Sequence, residues 1–535
     1  MYPRAHPTLR GRALARLAAV PLVLGCVVAG APAHASSATV TNTGVTLTMA
    51  DGVGLAGILS QPGTPGPHPA LVLVSSWALP DFEYLAQAQQ FAADGSIVLE
   101  YDPRGFYNSG GTIDVASPAD VRDVSTVIDW LLARTAADPA EIGVGGVSYG
   151  AGISLLAAAQ DPRIKATASL STWTDLGASL LPNRTRHLES TSALAALGAA
   201  TGRLSDDFQT QLDDFYADTN ISSVLSWAAV RSPRTYLDRI NANGTAVFLA
   251  NGLQDSIFSP NQIADFYTGL TTPKYAMLSP GDHATPEAGG LLGLPNAVWD
   301  KAHAWFDHYL TGAANSIGTD EPVQIEPVGG SAYTGYPSFA AAAGNSRTFA
   351  LGATDWLGTG SLGSAGSNGW STRISSGTDT CADGGVLFVT GILTQFADAP
   401  PACWLPAISR GSGAVWESSA LSGPLRVRGA PSLHLTITPG TSHGSLFAYL
   451  YDVNALGVGS LVSYLPYSYL DATAGQPITL DAQLLTAAYD FPAGDHVGLV
   501  VDTKDPLFID EDSAGGALAF SSPSGDSSVL TLPGS

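Results

Sequence analysis

The chain has 535 residues, 45% of them hydrophobic and only 13% charged, which excludes a disordered chain and supplies a sizeable core. Forty-six acidic against 23 basic residues give a formal net charge of −23, which repels phosphate backbones and excludes nucleic acid as a partner. At roughly 150 residues per domain, the length allows between two and four domains.

Arg4, Arg10, Arg12 and Arg16 precede an apolar stretch over residues 17–30, and Ala33-His34-Ala35 forms an A-x-A cleavage site before Ser36. This pattern predicts a secretory signal peptide over residues 1–35. The stretch is short for a bilayer, and nothing after it reaches about 18 uninterrupted apolar residues, so no stable membrane insertion is expected. Leu22-Val23-Leu24-Gly25-Cys26 offers lipid attachment through Cys26 as an alternative, but Leu24 fits such a box poorly. A secreted, soluble protein is the expectation. Cys381 and Cys403 are then the two cysteines of the mature chain, and an even pair in an oxidising compartment predicts one disulfide.

From residue 40 to 312 strand-like and helix-like stretches alternate. Residues 70–74 and 96–101 are short β-rich runs, and 84–93 between them carries apolar residues at helical spacing. Pro118 opens a helix in which Val121, Val124, Ile128 and Leu131 recur every three or four residues, with Asp120 and Asp123 near its start. A strand over 142–147, a helix over 151–159 and a strand over 165–170 follow. Residues 175–243 interrupt this pattern with helices at 192–200 and 205–216, a cap over the mouth of the sheet. Strands at 246–250 and 275–278 and a helix at 295–310 close the unit. The alternation predicts a parallel sheet covered on both faces, an α/β domain over residues 36–312. Residues 313–322 read as a linker. Beyond them, short alternating strands such as 432–438, 446–452 and 497–502 predict an all-β sandwich over 323–535, with little helical periodicity.

Gly146-Val147-Ser148-Tyr149-Gly150 matches the G-x-S-x-G elbow, in which a sharp strand-to-helix turn exposes a nucleophilic serine. Gly440-Thr441-Ser442-His443-Gly444 matches equally well but lies between two strand-like runs with no helix after it. Context therefore favours Ser148. The elbow needs a base and an orienting acid in the order serine, acid, histidine. His283 hangs in the loop after the last sheet strand, while the other histidines fall in the leader, cap, closing helix or sandwich, or ahead of the first core strand. Asp255 follows the strand ending at Ala250 and is the expected acid. Asp282 is its rival, although a sequence neighbour normally points away from the ring.

These residues, with Asp102-Pro103-Arg104-Gly105, Ser109-Gly110-Gly111, Ser232-Pro233, Tyr236-Leu237, Trp305-Phe306 and Tyr309-Leu310, resemble the peptidase S15 family of α/β-hydrolases. That family includes X-prolyl dipeptidyl peptidases, cocaine-esterase-like enzymes and α-amino-acid ester hydrolases. Pro322-Val323-Gln324-Ile325 and Arg428-Gly429-Ala430-Pro431 resemble its jelly-roll-like (galactose-binding-like) C-terminal domain. The resemblance implies a serine acyl-hydrolase that needs no metal or cofactor and acts on a small ester or peptide, and it is silent on oligomeric state. One departure concerns the oxyanion. The family commonly offers a tyrosine in the loop that here reads Ser75-Ser76-Trp77-Ala78-Leu79-Pro80. The backbone N–H of Tyr149 is one expected donor, and the second is a backbone N–H of Ser76 or Trp77, or a serine hydroxyl. Trp77 reads equally well as a wall of the acyl pocket.

A dipeptidyl peptidase or amino-acid ester hydrolase must recognise an ammonium, for which Asp81, Glu83, Asp206, Asp207, Asp213 and Asp214 are available by position. A plain carboxylesterase needs none of them and is the favoured expectation. The alternative from a different class is a secreted binding protein with a vestigial hydrolase domain, gripping a glycan or polymer through sandwich aromatics such as Trp404, Trp416, Tyr449, Tyr464 and Tyr467.

Overall fold

The computed structural model describes residues 39–364, 368–512 and 515–534. The expected leader over residues 1–35, with Cys26, lies outside the described residues. Ten strands form one sheet in the order β1-β2-β4-β3-β5-β6-β7-β8-β9-β10. They are β1 Val40–Thr48, β2 Gly54–Pro62, β3 His68–Val74, β4 Ile97–Tyr101, β5 Ala137–Val147, β6 Ile164–Leu170, β7 Ala246–Gly252, β8 Lys274–Ser279, β9 Val323–Ile325 and β10 Thr334–Tyr336. Pairing is parallel from β4 through β3 and across to β9, and antiparallel at both edges.

Strand β3 shows why this sheet sits in the middle of the molecule. Ala70, Val72 and Val74 point into one core, and Leu71 and Leu73 into another on the opposite face. Both faces are apolar because helices cover both. Helices α1 (Leu85–Ala93), α2 (Pro118–Arg134) and α3 (Tyr149–Gln160) fill the first crossovers. α2 begins with a capping box, in which the Ser117 and Asp120 side chains bond each other's backbone N–H groups, with Pro118 at its first position.

Between β6 and β7 come five helices: α4 (Leu176–Leu180), α5 (Leu188–Thr201), α6 (Asp206–Ala217), α7 (Ile221–Val230) and α8 (Leu237–Asn243). Those of the cap reach back to the sheet side, where Phe106 bridges Gly202 and Ile113 bridges Leu204. α9 (Pro260–Gly269), α10 (Thr285–Leu291) and α11 (Ala297–Phe306) complete the α/β part.

The sheet does not end where the small, polar stretch 313–322 suggests. Residues 323–336, expected in the sandwich, supply β9 and β10, with β9 parallel to β8 and Val323 and Ile325 fully buried. The physical reason is the open edge of β8, a row of unpaired backbone groups that a further strand covers. From Ser346 onward the chain is a β-sandwich, antiparallel except where Thr359–Gly363 runs parallel to Ala414–Ser418. α12 (Phe339–Ala343) precedes it, and among the described residues α13 (Val389–Ala397) interrupts it. Cys381 and Cys403 are bonded, and the disulfide closes the loop that carries α13.

Candidate active site

Strand β5 runs into α3 through the Ser148 turn, and Ser148 has φ 54° and ψ −114°. A side-chain-bearing residue seldom adopts that conformation, and it persists where the surroundings over-determine it. The flanking glycines are required for space. A Cβ on Gly146 would stand 2.7 Å from the Val74 carbonyl oxygen, and one on Gly150 would overlap that same oxygen. Ser148 N–H donates to Leu170 O at 2.8 Å and fixes the turn against β6.

Loops after two neighbouring strands reach the serine. β7 leads to Asp255 and β8 to His283. His283 Nε2 lies 2.7 Å from Ser148 Oγ, and Nδ1 lies 2.9 Å from Asp255 Oδ2. The Asp255 side chain is fully buried, and its Oδ1 accepts the N–H groups of Ile257 and Phe258 at 2.9 and 2.8 Å. With Nδ1–H donated to the carboxylate, Nε2 is left as the acceptor for the serine hydroxyl. Burial alone lowers the imidazole pKa. The Asp255 carboxylate, with Asp282 and Glu287 behind it, outweighs that and leaves it raised above the ordinary histidine value.

Asp282 does not touch the ring. Its Oδ1 accepts from Ser256 N–H at 2.8 Å, the Ser256 hydroxyl at 2.6 Å and the backbone N–H of His283 at 2.7 Å, so it braces the two loops against each other. Behind it Glu287 is fully buried, its carboxyl pushed up to about 7 by that burial and held by the Ser171 hydroxyl at 3.1 Å. The same hydroxyl accepts Ala284 N–H at 3.1 Å. The expected decoy Ser442 sits in an exposed sandwich loop, its hydroxyl 3.1 Å from His443 Nδ1.

The loop after β3 faces the elbow, and one expectation fails there. Ser76 N–H donates to Glu83 Oε2 at 2.7 Å, and the Ser76 hydroxyl lies 2.6 Å from Glu83 Oε1 and 3.0 Å from Val147 O. Ser76 is therefore engaged and is not an open oxyanion donor. Among the described residues no group accepts the backbone N–H of Trp77 or of Tyr149. The Trp77 ring meets Phe106, Tyr149 and Phe208 edge-on at 5.0 to 6.1 Å, and its Nε1–H donates to Leu194 O at 2.9 Å. It is a pocket wall with its backbone N–H left open.

Above Ser148 the cap covers a half-open cavity of about 90 Å³, walled by Trp77, Trp173, Leu194, Phe208, Trp227 and Phe258 among others. Among the described residues no carboxylate, lysine or arginine lines it. Of the acids weighed as ammonium partners, Glu83 is taken by Ser76, and Asp207 accepts Trp227 Nε1–H at 2.8 Å from the outer side. Asp206 and Asp213 are exposed on α6, Asp214 accepts from Thr219 and Asn220, and Asp81 lies off the cavity wall. In the sandwich, Trp416 and Tyr449 are fully buried core residues, and Trp404 is exposed.

Residues 51–285 match the model of the X-Pro dipeptidyl-peptidase (S15 family), and residues 318–524 that of the X-Pro dipeptidyl-peptidase C-terminal non-catalytic domain. The chain belongs to the S15 family. It is similar to a putative Xaa-Pro dipeptidyl-peptidase of Streptomyces avermitilis, 24% identical over 417 residues, which covers 69% of this chain and 56% of that protein. It is also similar to an acyltransferase of Aspergillus calidoustus, 29% identical over 161 residues, covering 29% and 51%. The S15 chain thus spans about half the length of the curated relatives it matches. Among solved structures it superposes on an α-amino acid ester hydrolase with a TM-score of 0.67 at 17% identity, over 97% of this chain and all of that one. A CocE/NonD family hydrolase of Staphylococcus aureus gives 0.69 at 12% identity, over 94% and 97%. At these identities the likeness concerns the fold: an α/β-hydrolase with a C-terminal sandwich.

Proposed function

We propose that this S15 chain is a secreted serine hydrolase, a carboxylesterase for uncharged, apolar acyl groups. Ser148 Oγ attacks the acyl carbon while His283 Nε2 takes its proton; Asp255 holds the ring in that tautomer and stabilises its cation. The oxyanion is received by the backbone N–H groups of Tyr149 and Trp77. His283 then returns the proton to the leaving alkoxide as the bond to it breaks. A water, deprotonated by the same nitrogen, attacks the acyl-enzyme and releases the acid and the free serine. The disulfide supports an oxidising destination.

The observation that carries the ester reading is the cavity wall. An ammonium beside the scissile carbonyl needs a carboxylate partner, and burying it unpaired costs several kcal/mol or more. A wall with no carboxylate, lysine or arginine among the described residues favours an uncharged acyl group. The name of the Streptomyces relative favours the second reading, release of dipeptides from X-Pro substrates, and the α-amino-acid ester hydrolase fold favours a third. A panel of p-nitrophenyl acetate, butyrate and benzoate against X-Pro p-nitroanilides and a phenylglycine ester separates them. The ester reading expects kcat/KM at least about 10²-fold higher on the neutral esters. Preference for a free α-amine would reverse it, and no turnover in folded protein would favour a binding role.

A further inference from the structure

Ser76 is engaged twice by one side chain, and its own hydroxyl reaches the residue before the elbow serine. Glu83 Oε2 takes the Ser76 N–H at 2.7 Å, and Glu83 Oε1 faces the Ser76 hydroxyl at 2.6 Å. The hydroxyl also lies 3.0 Å from the carbonyl oxygen of Val147, the residue before Ser148. Tyr84, next to Glu83, has its hydroxyl 3.3 Å from Ser76 Oγ and accepts Val147 N–H on it at 2.8 Å. Tyr84 is itself fixed from behind, its N–H donating to Glu100 Oε2 on β4 at 2.9 Å. Both backbone polar groups of Val147, and the N–H and hydroxyl of Ser76, are thereby held in one connected network. The two residues adjoin the two open N–H groups, since Trp77 follows Ser76 and Tyr149 follows Val147 by two.

We propose that Glu83, with Tyr84, is a positioning residue that sets the distance and angle between the two oxyanion donors, Trp77 N–H and Tyr149 N–H. The proposal rests on the serine-hydrolase reading above and deepens it. Tyr149 N–H is fixed with the elbow turn at the start of α3, whereas Trp77 N–H sits in a loop, so their mutual geometry depends on the contacts that join the two segments. The loop 75–80 leaves β3 as a turn: Ser75 N–H donates to Tyr101 O at 3.1 Å, and the next N–H, that of Ser76, is captured by the Glu83 carboxylate. A donor displaced by a few tenths of an ångström weakens mainly the interaction with the developing oxyanion, because the ground-state carbonyl asks less of it.

The network suits this task in either protonation state. Burial pushes the Glu83 carboxyl up to about 7. When it is ionised, the Ser76 hydroxyl donates to it. When it is protonated, it donates to Ser76 Oγ, and the Ser76 hydroxyl turns to Val147 O. A glutamine reproduces the second pattern, with its carbonyl on Ser76 N–H and its amide N–H on Ser76 Oγ.

The test compares Glu83→Ala, Glu83→Gln and Tyr84→Phe in the full chain, each checked for folding by circular dichroism. The readouts are kcat and KM on the best p-nitrophenyl ester, and the inhibition constant of a phenylboronic acid that mimics the tetrahedral adduct. Glu83→Ala is expected to lower kcat about 10²-fold and to weaken the boronic acid by a similar factor, with KM within about threefold. Glu83→Gln should keep kcat within about fivefold, and Tyr84→Phe should cost about tenfold. A folded Glu83→Ala with kcat within threefold of wild type, or a loss carried by KM while the boronic acid binds as before, overturns the proposal. If Glu83→Ala does not fold, Tyr84→Phe decides by the same two readouts, and a wild-type kcat there overturns it. Activity that survives Ser148→Ala would instead remove the serine-hydrolase reading, and the clamp with it.

Discussion

At the scale of single residues, the division of labour between Ser148, His283, Asp255 and Asp282 gives the sharpest expectations. Ser148→Ala and His283→Ala should each lower kcat by on the order of 10⁶, and the double variant no further. Asp255→Asn should cost roughly 10⁴, because it removes the carboxylate that selects the tautomer. Asp282→Asn should stay within about tenfold in kcat, since its contacts run to Ser256 and the His283 backbone and not to the ring. The base works as neutral imidazole, and its pKa stands above the ordinary value. kcat/KM should therefore rise with pH through a midpoint above about 6.5. A midpoint below 6 would contradict the Asp255 contact. That Ser148, Asp255 and His283 come together was legible in the sequence because each lies within four residues of the end of a strand of a parallel sheet, where position in the chain fixes position in space. Ser76 was not. Its N–H is removed from use by a carboxylate seven residues on, and nothing in the spacing reveals which way a turn points its N–H groups.

At the scale of elements, α13 and the strands β9 and β10 escaped the sequence reading for related reasons. Each is short, and each exists because of a neighbour. β9 is three residues that find the edge of β8, and α13 is nine residues within a strand-rich region, packed so that a Cβ on Gly391 would collide with the backbone of Asp282. Propensity decides little for such pieces, and tertiary contact decides most. The Cys381–Cys403 bond closes 22 residues around α13. Replacing both cysteines by alanine should lower stability by up to about 3 kcal/mol in the chain-entropy model, read as a lower urea midpoint. An unchanged midpoint would mean that packing alone holds the loop. By contrast, the long elements were legible. The 17 residues of α2 carry their cap, their proline and their apolar stripe in sequence, and β3 and the second half of β5, residues 142–147, announce themselves as apolar runs, whereas residues 137–141 of β5 do not.

At the scale of the whole molecule, the sequence conveyed two architectures joined in tandem, and the structure shows how closely they are tied. Arg186 in the cap bonds Glu511 at 2.7 Å, and Glu189 N–H donates to Leu507 O, so the sandwich holds the segment that leads into α5. The interior also carries an acid surplus. Burial pushes Glu100 up to about 9 and Asp102 to about 8, with Glu83 and Glu287 near 7. For a carboxyl whose folded pKa is raised, the native state binds more protons than the unfolded chain between the two values. Stability then falls as pH rises towards the folded pKa. The buried histidines His187 and His303, lowered to about 4, act in the opposite sense, but only below about 6.5. Urea midpoints should therefore drop between pH 7 and pH 9. A midpoint that rises over that interval would contradict the protonated state of Glu100 and Asp102.

The serine at the elbow is the claim on which the proposed chemistry depends, and covalent labelling tests it most directly. The full chain, treated with a fluorophosphonate probe and digested, should carry one adduct, on Ser148, and Ser148→Ala or His283→Ala should abolish it. An adduct on Ser442, or an active protein that the probe leaves unlabelled, would contradict the assignment.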